Sequence, residues 1–262
     1  MTPSTPGTPG TPTPGTPGTS APGTGAPGTP GAAGAQLTGT ASPSPVCVGE
    51  ARPVDTDAFL ALIAAATPND PLPPILGQIL SFQPGRPRRP LSHGDMLCLV
   101  ARDTAGRPVG ALLGGVPKWV FEHPLCAGTV LPPKLRERVS TIHAVVVDPA
   151  HRGRGIAGKL IRAAERRLWQ AGYQLLTLEH PATLTPFYEK LGYLSDEELI
   201  MMLPGADLLE LEAEGLLLAV KPLSNEVKMV TVPGAPARIV SGILPGCHVS
   251  ATMRFHNGRL TS

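Results

Sequence analysis

"VVVDPAHRGRGIAGKLI", residues 145–161, joins an apolar β-branched run to a helical pattern through a turn rich in glycine. The β-branched run predicts a buried strand that stops at Pro149. Over residues 156–171 apolar side chains recur at helical spacing, and a glycine follows. Small residues between a strand and a helix let backbone N–H groups approach an anion at the helix N-terminus. We therefore predict a phosphate-binding loop over residues 152–158.

Three phosphate-binding patterns overlap in this loop. The nucleotide pattern G-x-x-x-x-G-K needs a Ser or Thr hydroxyl after its lysine to hold Mg²⁺, and Leu160 stands there instead. The dinucleotide pattern G-x-G-x-x-G gains support from Glu179, which lies where a ribose-binding acid would follow. Residues 148–152 nevertheless separate the strand from the first glycine, and only one clear strand–helix unit follows the loop. The third pattern, R-x-x-G-x-A over residues 152–157, agrees best with its neighbours.

The second motif that supports this choice is "PFYEKLGY", residues 186–193. Together with residues 145–161 it resembles the GNAT superfamily of acyl-CoA-dependent N-acetyltransferases, with both motifs in the usual order. "IHAVVVDPAHRGRG", "LTPFYEKLGY" and "DPLPP" are similar to the arylalkylamine N-acetyltransferase branch. The resemblance covers roughly residues 46–203. It implies an α+β fold with a mixed, mostly antiparallel central sheet, flanking helices and splayed central strands.

The resemblance also implies a site and a mechanism. Tyr188 aligns with the tyrosine that protonates the leaving thiolate of coenzyme A, and His143 is the candidate base for the amine. Strand alternation predicts Thr141, His143, Val145 and Val147 on one face. This branch usually has a second histidine where Thr141 stands, which is a departure. The residues implied to bind acetyl-CoA, as co-substrate, are Val145, Val147, Arg152, Gly153, Arg154, Gly155, Ile156, Ala157 and Gly158.

The acceptor is predicted to be a small hydrophobic primary amine of the arylalkylamine type. Pro71, Leu72 and Leu184 are the predicted substrate-binding residues, and no metal is required. Two alternatives stay open at this point. One is a protein or peptide N-acetyltransferase, which needs an open groove at the sheet edge. The other is a non-catalytic CoA-binding protein of the same fold.

Composition divides the chain of 262 residues into three parts. Residues 1–45 are a Thr/Pro/Gly-rich tail with no charged residue, and such a segment is predicted to be disordered. Residues 46–222 are the predicted N-acetyltransferase domain, and residues 223–262 are an extension that could supply a final strand. In residues 46–222, "MLCLVARDTAGRPVGALLGGV" predicts a hairpin and "ADLLELEAEG" is interpreted as helical. In residues 223–262, an Asn-Gly pair predicts a turn.

Charge and cysteine content bear on partners and compartment. A formal net charge of +2 gives no reason to expect nucleic acid or a membrane as partner. The four cysteines form no C-x-x-C pair, so we predict buried thiols in a reducing compartment. The sequence predicts neither a secretory signal nor a transmembrane helix. The expected location is therefore cytoplasmic.

Overall fold

The computed structural model describes residues 45–66, 75–81, 91 and 93–261. Within these ranges the strands are β1 Cys47–Glu50, β2 Leu97–Arg102, β3 Pro108–Gly115, β4 Val139–Val147, β5 Leu175–His180, β6 Leu194–Asp196, β7 Glu198–Met202, β8 Leu208–Glu212, β9 Leu217–Pro222, β10 Lys228–Val230, β11 Ile239–Ser241, β12 Arg254–His256 and β13 Arg259–Thr261. The α-helices are α1 Thr56–Ala66, α2 Ile75–Ser81, α3 Trp119–Glu122, α4 Leu131–Leu135, α5 Ile156–Gln170 and α6 Thr185–Glu189.

The main sheet has seven strands in the order β1-β2-β3-β4-β5-β9-β6. Every neighbouring pair in it is antiparallel except β4 and β5, which run parallel. The helix α5 connects β4 to β5, as a parallel pair requires a crossover. The predicted α+β fold with a mostly antiparallel sheet and flanking helices is confirmed.

The first hairpin of the sheet, β2–β3, confirms the sequence prediction. Asp103 opens its turn, and one carboxylate oxygen accepts hydrogen bonds from the backbone N–H groups of Ala105 and Arg107 at 2.9 Å each. This side-chain turn explains why two apolar runs separated by a short polar segment pair with each other.

The two faces of the main sheet carry separate hydrophobic clusters. On one face the helix α5 buries Ile156, Leu160 and Ala164 against residues of β2, β3, β4 and β5. On the other face α1 and α2 cover β2, β3 and the second half of β4. A third cluster joins the start of β4 and β5 to the α3–α4 segment and to a second sheet. The helical periodicity of residues 156–171 therefore predicted the buried face of α5.

The second sheet has the strand order β10-β11-β7-β8. Residues 206–215, interpreted from sequence as helical, instead contain the strand β8, which pairs antiparallel with β7. The helical interpretation was wrong. Leu209 is buried while its two neighbours are not, and this alternation suits a strand paired with β7. Contacts with the rest of the fold thus outweigh the helical composition of the segment. The Asn257-Gly258 turn is confirmed: both residues have positive φ between β12 and β13.

The C-terminal residues contribute to the second sheet. Among the described residues beyond 222, β11 pairs parallel with β7 and antiparallel with β10. The last strand to enter the main sheet is β9, which lies between β5 and β6. The boundaries at residues 45 and 222 stay predictions, and residues 1–44 lie outside the described residues.

The cysteines correct one sequence expectation. Cys98, Cys126 and Cys247 are buried as predicted, whereas Cys47 on the edge strand β1 is exposed. The strand β1 lies at the edge of the main sheet, with a neighbouring strand on one side only. This position explains why Cys47 is exposed and the other three cysteines are buried.

Candidate active site

The two central strands part in the middle of the main sheet. The parallel ladder of β4 and β5 runs from Val139↔Leu175 to Ile142↔Leu178 and stops there. Beyond that rung β4 continues alongside β3 as far as Val147, and β5 continues alongside β9 as far as His180. The predicted splaying of the central strands is therefore confirmed. We call the opening between residues 143–147 and residues 179–180 the fork.

The backbone of β4 presents hydrogen-bonding groups to the fork. The N–H of Asp148 donates to the carbonyl of Val109 on β3 at 3.0 Å, so this residue faces β3. In an antiparallel pair successive residues face alternately toward and away from the partner strand. Val145 and Val147 therefore direct their N–H and C=O groups away from β3, into the fork. Both are residues that the sequence predicted to bind the co-substrate.

The predicted phosphate loop lies at the N-terminus of α5. Gly153 and Gly155 have φ of 74° and 71°, and Gly155 is the N-cap of the helix. A Cβ atom added to either glycine would meet nothing within 4 Å, so the loop is open on that side. The N–H groups in the first turn of a helix have no acceptor within the helix. The loop thus presents donors and the positive end of a helix of 15 residues to one exposed surface.

Two arginines hold this loop in shape. The Arg152 Nε donates to the carbonyl of Val147 at 3.1 Å, and the Arg154 Nη2 donates to the carbonyl of Ala150 at 3.2 Å. Both residues are exposed, as are Gly153 and Gly155. Their charges therefore add to the positive potential at the helix N-terminus while their hydrogen bonds fix the backbone.

Two of the predicted loop residues are buried in the first turn of α5. Ile156 is buried in the cluster under α5, and Gly158 is buried on the first turn. Ala157 is half-buried. All seven predicted loop residues, 152–158, thus lie in one continuous turn from the end of β4 into α5.

His143 lies at an irregularity in β4. The β3–β4 register shifts between Leu113 and Gly114, which pair with Ala144 and Ile142, so His143 is the extra residue of a β-bulge. Bulges re-aim side chains, and here His143 is exposed and its Nε2 lies 3.3 Å from where a Cβ on Gly115 would stand. The absent side chain at Gly115 makes room for the imidazole.

The bulge overturns one step of the sequence argument. Val145 and Val147 pack in the cluster under α5 together with Ile142, whereas Ala144 packs under α1 and α2. Alternation along β4 is therefore interrupted at the bulge. Thr141 and His143 do not share a face with Val145 and Val147, because the extra residue inverts the order of the faces.

Thr141, which stands where a histidine is usual in the resembling branch, ties the two strands together below the fork. Its hydroxyl donates to the carbonyl of Thr177 at 3.0 Å. The Thr177 hydroxyl in turn donates to the carbonyl of Ser140 at 3.3 Å, and Thr177 and Ser140 are both buried. The hydroxyl of Thr141 thus joins β4 to β5 by a hydrogen bond.

Tyr188 lies on α6, directly beyond the end of β5. It is 4% exposed and belongs to the cluster under α5 that also holds Val145 and Val147. Its ring contacts those of His180, Phe187 and Tyr193 at centroid distances of 4.7, 5.0 and 5.8 Å. Burial raises the pKa of its phenol above the ordinary value of 10. The hydroxyl therefore stays protonated through the neutral range.

The two predicted catalytic side chains approach the fork from opposite faces. Tyr188 lies on the α5 face, and His143 lies on the face that carries the Gly115–Thr141 pair. On that second face the cluster under α1 and α2 and the cluster around α3 and α4 are separate. We call the boundary between these two clusters the seam. Sequence could not place this seam, since it depends on where distant elements pack.

Glu179 is a residue whose place at the fork the sequence argument did not identify. It is exposed and follows the last shared rung on β5, as His143 does on β4. Leu176 and Leu178 belong to the α5 face, so alternation puts Glu179 on the face of His143. A carboxylate and an imidazole therefore flank the fork on the same side.

The predicted substrate-binding residues are only partly described. Pro71 and Leu72 lie outside the described residues. Leu184, in the 3₁₀ turn before α6, is 42% exposed. Val116 and Trp119 are half-buried and pack against the cluster around α3 and α4, while Phe121 is 51% exposed.

Within the described ranges, no group of three or more His, Cys, Asp or Glu side chains is placed to hold a metal ion. None of the helices in the same ranges is long and apolar enough to cross a membrane.

The sheet order, the fork and the glycine loop at a helix N-terminus agree with the fold that the sequence resemblance implied. Residues 70–193 match the model of the acetyltransferase (GNAT) family. The match covers 124 of the 262 residues and includes β4, the loop before α5, α5 and α6. This match agrees with the resemblance noted from the sequence at the level of the superfamily.

Solved structures of similar fold come from several bacteria. GNAT family N-acetyltransferase YhbS from Escherichia coli in complex with CoA is 17% identical, with 71% of this chain and 86% of that chain covered and a TM-score of 0.44. An N-acetyltransferase from Staphylococcus aureus Mu50 is 17% identical, with 69% and 100% covered and a TM-score of 0.46. The ribosomal-protein-S18-alanine N-acetyltransferase from Escherichia coli is 16% identical, with 68% and 94% covered and a TM-score of 0.42. A comparison with curated protein sequences finds no significant match.

Proposed function

We propose that the domain transfers the acetyl group of acetyl-CoA directly to a small hydrophobic primary amine of the arylalkylamine type. The observation that carries this proposal is the fork itself. The β4 arm carries Val145 and Val147 and continues toward the loop before α5, while His143 on β4 and Glu179 on β5 lie on the same face of the opening, one on each arm. A thioester and an amine could therefore meet across one opening in the sheet.

The residues at the fork fit acetyl-CoA. The diphosphate would bind the N–H groups of the loop between Arg152 and Gly158, where positive φ glycines and a helix N-terminus coincide. The amide-containing pantetheine arm would extend the β4 edge at Val145 and Val147. The Val147 carbonyl already accepts from Arg152, so this residue would offer its N–H only. When bound, the thioester supplies the activated acetyl group.

His143 would accept the proton of the attacking amine. Aliphatic amines are protonated at neutral pH, with a pKa near that of lysine at about 10, and a protonated amine has no lone pair for attack. An imidazole is the side chain best matched to remove that proton near neutral pH. Glu179 on the same face would attract the ammonium form before the proton leaves. These two residues support a cationic amine as the acceptor.

Tyr188 would return a proton to the departing sulfur. The new N–C bond forms as the C–S bond breaks, and the sulfur leaves with the electron pair of that bond. The phenol donates its proton to this thiolate, and the ammonium proton taken by His143 passes to solvent. The nitrogen loses a second proton once the N–C bond has formed, and this proton returns to the phenolate through solvent. The products are an N-acetylamine, the free thiol and one released proton. Because burial raises the pKa of Tyr188, the phenol stays loaded with its proton across the working range of an imidazole base.

The hydrophobic class of amine is supported by apolar side chains that follow β3 and precede α6. Val116 and Trp119 are half-buried against the cluster around α3 and α4, and Leu184 before α6 is 42% exposed. The similarity of "DPLPP" to the amine-pocket segment of the arylalkylamine branch adds to this. Apolar walls with a few polar groups favour a small aromatic amine over a highly polar one.

Thiol release from acetyl-CoA in the presence of different amines tests the proposal. Phenethylamine and tryptamine are expected to be acetylated faster than an N-terminal peptide amine or an aminoglycoside. Turnover of peptides alone would replace the small-amine proposal with a peptide acetyltransferase. Acetyl-CoA binding with no turnover of any amine would indicate a non-catalytic CoA-binding protein.

Matched variants test the two side chains. Tyr188→Phe is expected to lower kcat about 100-fold with unchanged affinity for CoA, as loss of a general acid does. Tyr173→Phe is the control, because Tyr173 is also a buried tyrosine but follows the far end of α5. His143→Ala is expected to lower the rate chiefly at acidic to neutral pH. Equal rates in wild type and both site variants would contradict the assignment.

A further inference from the structure

His180 is a buried histidine at the end of β5 that the proposed reaction does not use. It is 1% exposed and lies on the arm of the fork that continues along β9. A buried polar side chain needs partners for its hydrogen-bonding atoms. Both ring nitrogens of His180 have such partners.

The hydrogen bonds of His180 determine its tautomer. Its Nδ1 lies 2.9 Å from the carbonyl oxygen of Pro181, which can only accept, so Nδ1 carries a hydrogen and donates. Its Nε2 lies 2.9 Å from the Ser195 Oγ, so in the neutral ring Nε2 accepts from that hydroxyl. Both nitrogens of the neutral ring are therefore engaged within the protein.

The ring of His180 is also the nearest aromatic neighbour of Tyr188 among the ring contacts in the described chain. The two centroids are 4.7 Å apart and the planes are inclined by 31°. Phe187 and Tyr193 meet Tyr188 edge-on, at 74° and 75°. Of these three rings, His180 is therefore the one whose plane is least inclined to that of the phenol.

These contacts connect three separate elements. Ser195 lies on β6, which the strand β9 separates from β5 in the sheet. The His180 side chain therefore reaches past β9 to β6 while its face supports α6. Fixing both ring nitrogens fixes the plane against which Tyr188 packs.

We propose that His180 is a positioning residue, held by Ser195 and Pro181, which orients the phenol of Tyr188 toward the fork. This inference rests on the proton-donating role of Tyr188 given under Proposed function. It extends that role to a hydrogen-bonded pair on β5 and β6 that does not touch the reacting atoms.

Ser195 offers a matched pair of variants. Ser195→Thr keeps the hydroxyl and Ser195→Val replaces it with a methyl group, and both β-branched residues suit a strand. With phenethylamine and acetyl-CoA as probes, we expect kcat of Ser195→Val to be about five-fold below that of Ser195→Thr, the size of one lost neutral hydrogen bond. The KM for acetyl-CoA should be the same in both.

A double-mutant cycle separates positioning from general loosening. In a Tyr188→Phe background, Ser195→Val and Ser195→Thr should have equal kcat, because the group that they orient is gone. Equal kcat in the parent background, or a difference that persists in Tyr188→Phe, would overturn the inference while leaving the role of Tyr188 intact. A Tyr188→Phe variant as fast as wild type would instead overturn the proposed proton donor, and this inference with it.

A second readout does not depend on turnover. The tyrosinate absorbance of each Ser195 variant, minus that of the same variant with Tyr188→Phe, isolates the ionisation of Tyr188. Since burial raises the pKa of this phenol, a loosened His180 ring should let water approach and lower that pKa in Ser195→Val relative to Ser195→Thr. Should phenethylamine not be acetylated, this titration decides: a lower value supports the inference, and identical titrations overturn it.

Discussion

Replacing Gly155 with alanine tests the claim that the loop before α5 binds the diphosphate through its backbone. Gly155 has φ of 71°, where a residue with a Cβ costs about 1–2 kcal/mol. Gly172, beyond the other end of the same helix, has φ of 91°. An added Cβ meets nothing within 4 Å at either position. The two substitutions therefore impose similar strain at opposite ends of α5, and only one lies in the proposed site.

The expected magnitudes follow from this geometry. Each variant should lose about 1–2 kcal/mol of stability where the strain is retained, which lowers Tm by about 2–8 °C for a domain of this size. In Gly155→Ala a relaxed loop turns its N–H groups away, and a retained loop presents a methyl group on its open side. Losing one hydrogen bond to a charged group costs about 1.5–3 kcal/mol, so the Kd for CoA should rise about 10- to 150-fold.

Isothermal titration calorimetry with CoA and thermal unfolding of the unliganded protein measure the two effects. Gly172→Ala should melt lower than wild type and bind CoA with an unchanged Kd. If Gly155→Ala also binds CoA like wild type, the amides of this loop do not hold the diphosphate. If both variants lose affinity equally, the loss reflects stability of α5 and not the loop.

Three further outcomes are expected. The kcat with a good amine should show no alkaline decline below about pH 10 from the proton donor, because burial raises the pKa of Tyr188 above 10. Burial alone would raise the pKa of Asp55, but hydrogen bonds from Arg52 and Arg102 outweigh it and lower the pKa from 3.8 to about 2. Asp55→Asn should therefore lower the free energy of unfolding in urea by about 2 kcal/mol at pH 7. This difference from wild type should shrink as the pH falls from about 4 toward 2, because the carboxylate then becomes protonated. In the native protein a thiol reagent should modify Cys47 quickly and Cys98 only on unfolding, since burial raises the pKa of Cys98 to about 12, and Cys47→Ser should abolish the fast phase.

The local parts of the site could be predicted from the sequence because their physics is local. A β-branched run, a proline, spaced glycines and a helical period fix strand, loop and helix within residues 139–171. The φ values of Gly153 and Gly155 are what such a loop requires. The parting of β4 and β5 was expected only through the resemblance, because neither strand has a residue that predicts where their pairing ends.

The parts that sequence reasoning missed depend on contacts between distant segments. The bulge at His143 exists because Gly114 and Gly115 on β3 meet it out of register, and the glycine pair was its one visible signal. The strand β8 forms because β7 lies beside it, against a helical composition. His180 is adjacent to Pro181 in sequence, but Ser195 and Tyr188 reach it only through the fold.

The same packing explains how an open strand edge can be rigid before a ligand arrives. Beyond Ile142, β4 loses β5 as a partner, and backbone groups that lack a partner are costly unless water or a ligand satisfies them. The strand keeps its ladder with β3, while Ala144 and Val146 pack under α1 and α2, and Val145 and Val147 pack under α5. The strand β4 is therefore held by β3 along one side and by helices on both of its faces, which orders its free edge at the fork. A bound amide chain would then gain strand hydrogen bonds without paying to order β4, which is why the fork suits an extended co-substrate better than a flexible loop would.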